Sequence, residues 1–148
     1  MEVAGILAVI ILVLTSAFFS GAETALTSIR RTKIKDVERE NPNLAKYLKM
    51  WIKRPNEMMT IMLVGSNLAS IFAVSLTAVL IYSFHKSSFS SENYFVSIAS
   101  ATVIMGMVLI VFGEITPKII ARNYCETISK TVIIPIYYMS IVFAPLVY

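Results

Sequence analysis

No charged residue interrupts the mostly apolar run from Val3 to Ala22. About 20 residues at helical rise cover roughly 30 Å, enough to cross a bilayer. A longer run follows from Met58 to Phe84, a third extends from Tyr94 to Gly113, and a fourth from Thr131 to Tyr148. The first three predict membrane-crossing helices over about residues 3–27, 56–84 and 94–121. The fourth is marginal in length and broken by Pro135 and Pro145. It either crosses the membrane or lies at the interface as a bent helix over about 127–148, with Tyr137, Tyr138 and Tyr148 at headgroup level. Two prolines in so short a run favour the interfacial arrangement.

Between the first two runs the pattern changes from continuous to amphipathic. Leu44, Leu48, Trp51 and Ile52 fall on one helical face, with Lys46, Lys49 and Lys53 mostly elsewhere. Asn41-Pro42 separates this stretch from an earlier one carrying Ile29, Ile34 and Val37. Two short belt helices over about 29–54, lying along a membrane surface, fit this pattern.

Composition agrees with a membrane domain. Of 148 residues, 57% are hydrophobic and 15% charged, against about a quarter charged in soluble domains. The segment IRRTKIKDVERENPNLAKYLKMWIKRPNE holds most of the chain's 13 lysines and arginines, and the connection after the third run adds Lys118, Arg122 and Lys130. The connection between the second and third runs, HKSSFSSE, has Lys86 balanced by Glu92. Positive charge stays in the cytoplasm, so the N-terminus is expected outside and the basic connection inside a multi-pass protein of the cell membrane. The acidic Met1-Glu2 start does not fit a secretory signal, and the first run reads as an uncleaved span. Beside membrane spans, a basic cluster indicates lipid headgroups as partners and not nucleic acid.

Some chemistry is excluded. The single cysteine, Cys125, rules out an internal disulfide and a multi-cysteine metal site. The single histidine, His85, falls in the expected outer loop and leaves no histidine-metal motif or serine–histidine pair. With no nucleophile–base pair, the chain is not expected to be an enzyme.

What remains is polar chemistry at backbone breaks. Of five glycines, three adjoin polar residues in the apolar runs: Ser20-Gly21 before Glu23, Gly65 before Ser66 and Asn67, and Gly113 before Glu114 with Pro117 beyond. Irregular backbone at membrane depth is tolerated only inside protein or against a wet cavity. An ionisable group there indicates a site. With the spans alternating in direction, Ser20 and Glu114 lie toward the inner ends of the first and third. Asn67 lies roughly 16 Å up the second from its start near Asn56. Hydroxyl, amide, carboxylate and freed carbonyl oxygens together suit a hard cation such as Mg²⁺ or Na⁺. Competing roles are structural: Ser66 and Ser70 as a small-residue contact between helices, and Glu114 as an interfacial partner of Lys118 one turn on.

Three segments, FFSGAETALTSI at 18–29, LVGSNLASI at 63–71 and VFGEITPKIIA at 111–121, resemble in order and spacing the signatures of the transmembrane domain in the CNNM/CorC family of magnesium transporters. The resemblance implies an all-α membrane fold with three transmembrane helices, a cytoplasmic-side belt and a C-terminal juxtamembrane helix. It further implies a homodimer, with cytosolic CBS domains in the full-length protein that are absent from this chain. The family's Mg²⁺ site would fall on Ser20, Asn67 and Glu114, with oxygens near Gly21, Gly65 and Gly113 as helpers. Position 66, often asparagine in the family, is Ser66 here. Na⁺-coupled Mg²⁺ export is the implied activity, with Ser16 and Glu23 as candidates for the coupling ion. The alternative is a Mg²⁺-sensing dimeric anchor that signals to cytosolic domains or partners without net flux.

Overall fold

A computed structural model describes residues 2–88 and 94–147. All described elements are helical: α1 (Glu2–Ser28), α2 (Arg31–Glu40), α3 (Pro42–Lys53), α4 (Pro55–Ser88), α5 (Tyr94–Val108), a π-helical segment (Leu109–Ile115), α6 (Thr116–Asn123) and α7 (Cys125–Val147). Glu92 and most of the expected outer connection lie outside the described residues, as does Tyr148.

Three of these stretches are long and apolar enough to cross a membrane: Val3–Ser28, Pro55–Ser83 and Phe95–Asn123. Only 17%, 17% and 11% of their most apolar windows are buried within the chain. So much exposed hydrocarbon would associate in water, whereas lipid satisfies it directly. The described residues form an all-helical membrane domain.

The second span departs from expectation at its far end. Instead of closing near residue 84, α4 continues through His85 and Lys86 to Ser88, placing both in a helix and not in a loop. Hydrophobic thickness limits the apolar run, but a helix goes on until glycine, proline or packing stops it, and this stretch has neither residue.

Local chemistry explains the two short helices. The Asn41 backbone N–H donates to the Val37 carbonyl at 2.8 Å, closing α2. Its side-chain oxygen accepts from the Leu44 N–H at 3.3 Å, opening α3 with Pro42 in the first turn. A capping asparagine followed by proline is a strong helix start. Both helices turn their apolar residues inward: Ile34, Val37, Leu48 and Trp51 join Phe19, Ala22 and Leu26 of α1, Ile29 of the connection that follows it, Met58 and Met62 of α4, and Val132, Ile133 and Ile136 of α7 in one core. Ile52, expected on the buried face of α3, is 36% exposed, and Ala45 is buried instead. Ile52 follows Trp51 by about 100° round the helix, which carries it off the face that Ala45, Leu48 and Trp51 bury.

Beyond this core, α7 is fastened to α2 by charges. Lys33 pairs with Glu126 at 3.3 Å, and Lys130 reaches both Glu40 at 3.4 Å and Glu126 at 3.5 Å. The hydrogen bond and charge of Lys33 hold the Glu126 carboxyl below the usual glutamate range. A smaller cluster of Ala73, Met105 and Leu109 joins α4 to α5 and the π-helical segment, with Val9, Leu12 and Val13 of α1 packed on it.

Candidate functional site

The site begins with a change of helical register. At the end of the third span the Thr116 N–H donates to the Val111 carbonyl, five residues back instead of four. The wider turn occupies Leu109–Ile115 and contains Gly113 and Glu114. Such single-turn π bulges loosen the carbonyl ladder and recur at functional positions. This one lies beside α1, with Gly113 buried.

Small groups permit that approach. A Cβ at Gly113 would sit 3.3 Å from the Ser16 Oγ, and one at Gly21 would sit 3.6 Å from the Pro117 Cβ. The two glycines therefore form matching close contacts between α1 and the end of the third span. Between them the fully buried Ser20 hydroxyl donates to the Glu114 carbonyl at 3.5 Å, the outer limit of a hydrogen bond. Ser16, also fully buried, exchanges a hydrogen bond with Ser70 of α4 at 3.0 Å. A strip of hydroxyl and carbonyl oxygens thus runs along one face of α1, between the other two spans.

Placement of the remaining candidates differs. Gly65 receives the tip of the Phe19 ring, so α1 and α4 pack closely beside Ser20. Ser66 is 8% exposed. Its neighbour Ser70 takes the inter-helix contact with Ser16, so the small-residue role considered for this pair is realised at Ser70. Glu114 is half-buried and forms no ion pair with Lys118 among the described residues. Its contact with Ser20 is made by the backbone carbonyl. Asn67 is exposed on α4, roughly 100° round the helix from Ser66. It stands between the exposed Leu63 and Ile71 and is not among the hydrogen-bonded groups of the strip. Glu23 is half-buried, and its carbonyl accepts the Thr27 hydroxyl at 2.8 Å.

The structure therefore brings Ser16, Ser20, Gly21, Gly113 and Glu114 together, sets Gly65 and Ser66 alongside, and turns Asn67 outward. Among the described residues no three His, Cys, Asp or Glu side chains gather. Any ion held here would rest on neutral oxygens and few carboxylates, a donor set suited to hard cations. Sequence reasoning missed the Ser16–Ser70 pair as a unit. Its signal was available in the spacing Ser16–Ser20 and Ser66–Ser70, one turn apart on each span.

Three membrane-crossing helices around a buried polar strip define a polytopic membrane domain with an intramembrane polar site. The profile of the Cyclin M transmembrane N-terminal domain, CNNM, matches residues 6–148, and the chain belongs to this family. It is 27% identical over 114 residues to the UPF0053 inner membrane protein YfjD of Escherichia coli, covering 77% of this chain and 25% of that protein. A UPF0053 protein of Haemophilus influenzae is 28% identical over 120 residues, 81% of this chain and 27% of its own. One of Synechocystis is 28% identical over 141 residues, 95% of this chain and 38% of its own. The chain thus spans between a quarter and two fifths of the length of these relatives.

Proposed function

We propose that this domain carries Mg²⁺ across the cell membrane, by Na⁺-coupled export, through alternating access around the oxygen strip between its spans. The observation that carries the reading is the buried Ser20 hydroxyl against the Glu114 carbonyl at the π-helical turn. It is supported by membership of the CNNM family. Ser20 and Glu114 supply ligands at the strip, with carbonyls near Gly21, Gly65 and Gly113 and the hydroxyl of Ser66 in support, and Asn67, turned outward on α4 in this state, joins them when α4 rotates during the access cycle. Ser16 and Glu23 serve the coupling ion. A wider helical turn exchanges hydrogen-bond partners at low cost, which suits a segment that must bind and then release an ion.

The functional unit is a homodimer. Asn67 supports this, because its amide lies on an exposed apolar face of a span, between Leu63 and Ile71. An amide facing hydrocarbon is costly, so an ion or a second subunit covers it. The basic helices α2 and α3 lie on the cytoplasmic leaflet with the N-terminus outside, and α7 runs along the membrane toward cytosolic CBS domains in the longer protein.

Mg²⁺ flux into and out of liposomes, with and without a Na⁺ gradient, tests the reading. Glu114→Gln is expected to abolish flux, because neutral oxygens alone do not offset stripping a strongly hydrated divalent ion. Unchanged flux in that variant would remove Glu114 from the site. Saturable Mg²⁺ binding without flux, in wild-type protein and under either gradient, would favour the sensing anchor instead. The shared core of α7 with α1, α2, α3 and α4 offers that anchor a route to downstream domains.

A further inference from the structure

A second polar feature lies away from the oxygen strip, at the ends of the first and third candidate spans. A cavity of about 520 Å³ opens between them, lined by Thr24, Thr27 and Ser28 of α1 and by Lys118, Arg122 and Asn123 of α6, with Ile119 the one apolar wall residue. Its volume falls within the range of about 300–1,000 Å³ for small-ligand sites. A cavity of about 340 Å³ on α1, α6 and α7 is instead lined chiefly by apolar groups, among them Leu14, Phe18, Ile120 and Val132.

The donor inventory gives the larger cavity its chemistry. The Thr24 and Thr27 hydroxyls donate to the Ser20, Glu23 and Thr24 carbonyls, so they shape the wall. The Lys118 ammonium, the Arg122 guanidinium, the Ser28 hydroxyl and the Asn123 amide remain to donate into the space. No carboxylate lines it. Lys118 and Arg122 stand one turn apart on α6, where like charges repel. Among the described residues neither forms an ion pair, whereas Lys33, Arg54 and Lys130 each do. Two unneutralised cations, one with a planar fork suited to paired oxygens, face a polar hollow where two spans end.

We propose that this cavity binds a phosphate group through Lys118 and Arg122, with Ser28 and Asn123 as neutral donors. The group is carried either by an anionic lipid headgroup or by a soluble phosphate. Its place at the ends of two spans sets it at headgroup level, where phosphate is the most abundant anionic oxygen cluster. The site is independent of Mg²⁺ transport, since none of its residues belongs to the proposed ion ligands.

The test is lipid retention by the purified chain in native mass spectrometry, from detergent micelles doped with equal phosphatidylglycerol and phosphatidylcholine. Wild-type protein is expected to retain phosphatidylglycerol preferentially. The Lys118→Gln/Arg122→Gln variant should lose about thirtyfold of that preference, given the usual worth of two cations at an anionic surface. A Lys46→Gln/Lys53→Gln control, which removes equal charge from exposed positions on α3 that meet headgroups only at the surface, should lose markedly less of it than the cavity variant. The charge-conserving Lys118→Arg/Arg122→Lys pair should keep it, which separates charge loss from misfolding. Displacement of the lipid by millimolar inorganic phosphate, in wild type only, would assign the site to soluble phosphate. Equal loss in the α3 control, loss in the charge-conserving pair, or no loss in the neutralised variant would each overturn the proposal.

Discussion

Replacing Gly65 with alanine places a methyl group where the Phe19 ring already stands. A Cβ at that position lies 2.7, 2.8 and 2.9 Å from three atoms at the ring tip. Carbon atoms prefer about 3.5–4.0 Å, so the ring or the helix carrying it must retreat by roughly 0.6–1.3 Å. The ring has little room to do so. Phe19 is 4% exposed and stands edge-on to Phe18, with centroids 5.6 Å apart and planes at 70°. Overpacking of this kind costs about 1–3 kcal/mol, and alanine returns at most about 1 kcal/mol of helix propensity. The expected net loss is up to about 2 kcal/mol. Unfolding by sodium dodecyl sulfate in mixed micelles, followed by the fluorescence of Trp51, reads it directly. Trp51 is the chain's single tryptophan and shares a core with Phe19. Phe19→Leu shortens the ring and should relieve the clash, so the double variant should be more stable than the two single losses predict by about 1 kcal/mol. Because Phe19 precedes Ser20, the proposed transport further implies that Gly65→Ala lowers Mg²⁺ flux and that Phe19→Leu partly restores it. An alanine variant as stable as wild type, with strictly additive losses in the double, would refute the close packing of α1 on α4.

Other expectations are simpler. Ser16→Ala and Ser70→Ala should each destabilise the domain, and a double-mutant cycle should return a coupling of about 0.6 kcal/mol, the average for hydrogen bonds between membrane helices; zero coupling would remove the pair. Glu126→Gln should lower the melting temperature at neutral pH by releasing Lys33 and Lys130. The Glu126 carboxyl is held below its usual range, so its charge stabilises the fold above the ordinary glutamate value, and the benefit disappears as pH falls through the lowered one. The difference between wild type and Glu126→Gln should therefore stay constant to mildly acidic pH and vanish in stronger acid. A difference that survives full protonation would assign Glu126 a packing role.

Much of this architecture is readable in the chain because hydrocarbon imposes simple rules. Twenty uncharged residues in a row leave few options other than a span, and Asn41-Pro42 marks a helix boundary by its own chemistry. The π-helical turn is different. Gly113, Glu114 and Pro117 marked where the backbone loosens, yet no periodicity says that a helix will widen to a five-residue bond and not kink. Tertiary pairing is equally hidden: Ser16 could meet any polar group at its depth, and Ser70 takes it because Gly65 lets α4 approach. The candidate site was legible as a set of oxygen-bearing residues and less so as a geometry. Ser20 reaches the backbone of residue 114, and Asn67 stands one position too far round its helix to share the strip. A helical wheel fixes directions within one helix and is silent about what faces them, which also explains the exposure of Ile52.

The hydrogen bond from Ser20 to Glu114 joins residues 94 positions apart in the chain. During synthesis α1 enters the bilayer first, carrying Ser16 and Ser20 with no neighbour yet made. Ser70 arrives with the second segment, but the Glu114 carbonyl emerges only when the last crossing is complete. The nascent domain therefore holds a polar edge in lipid until the third crossing arrives and closes it. A ribosome stalled before residue 113 would leave α1 exposed to membrane chaperones and proteases, making completion of the third crossing the quality-control step for the whole domain.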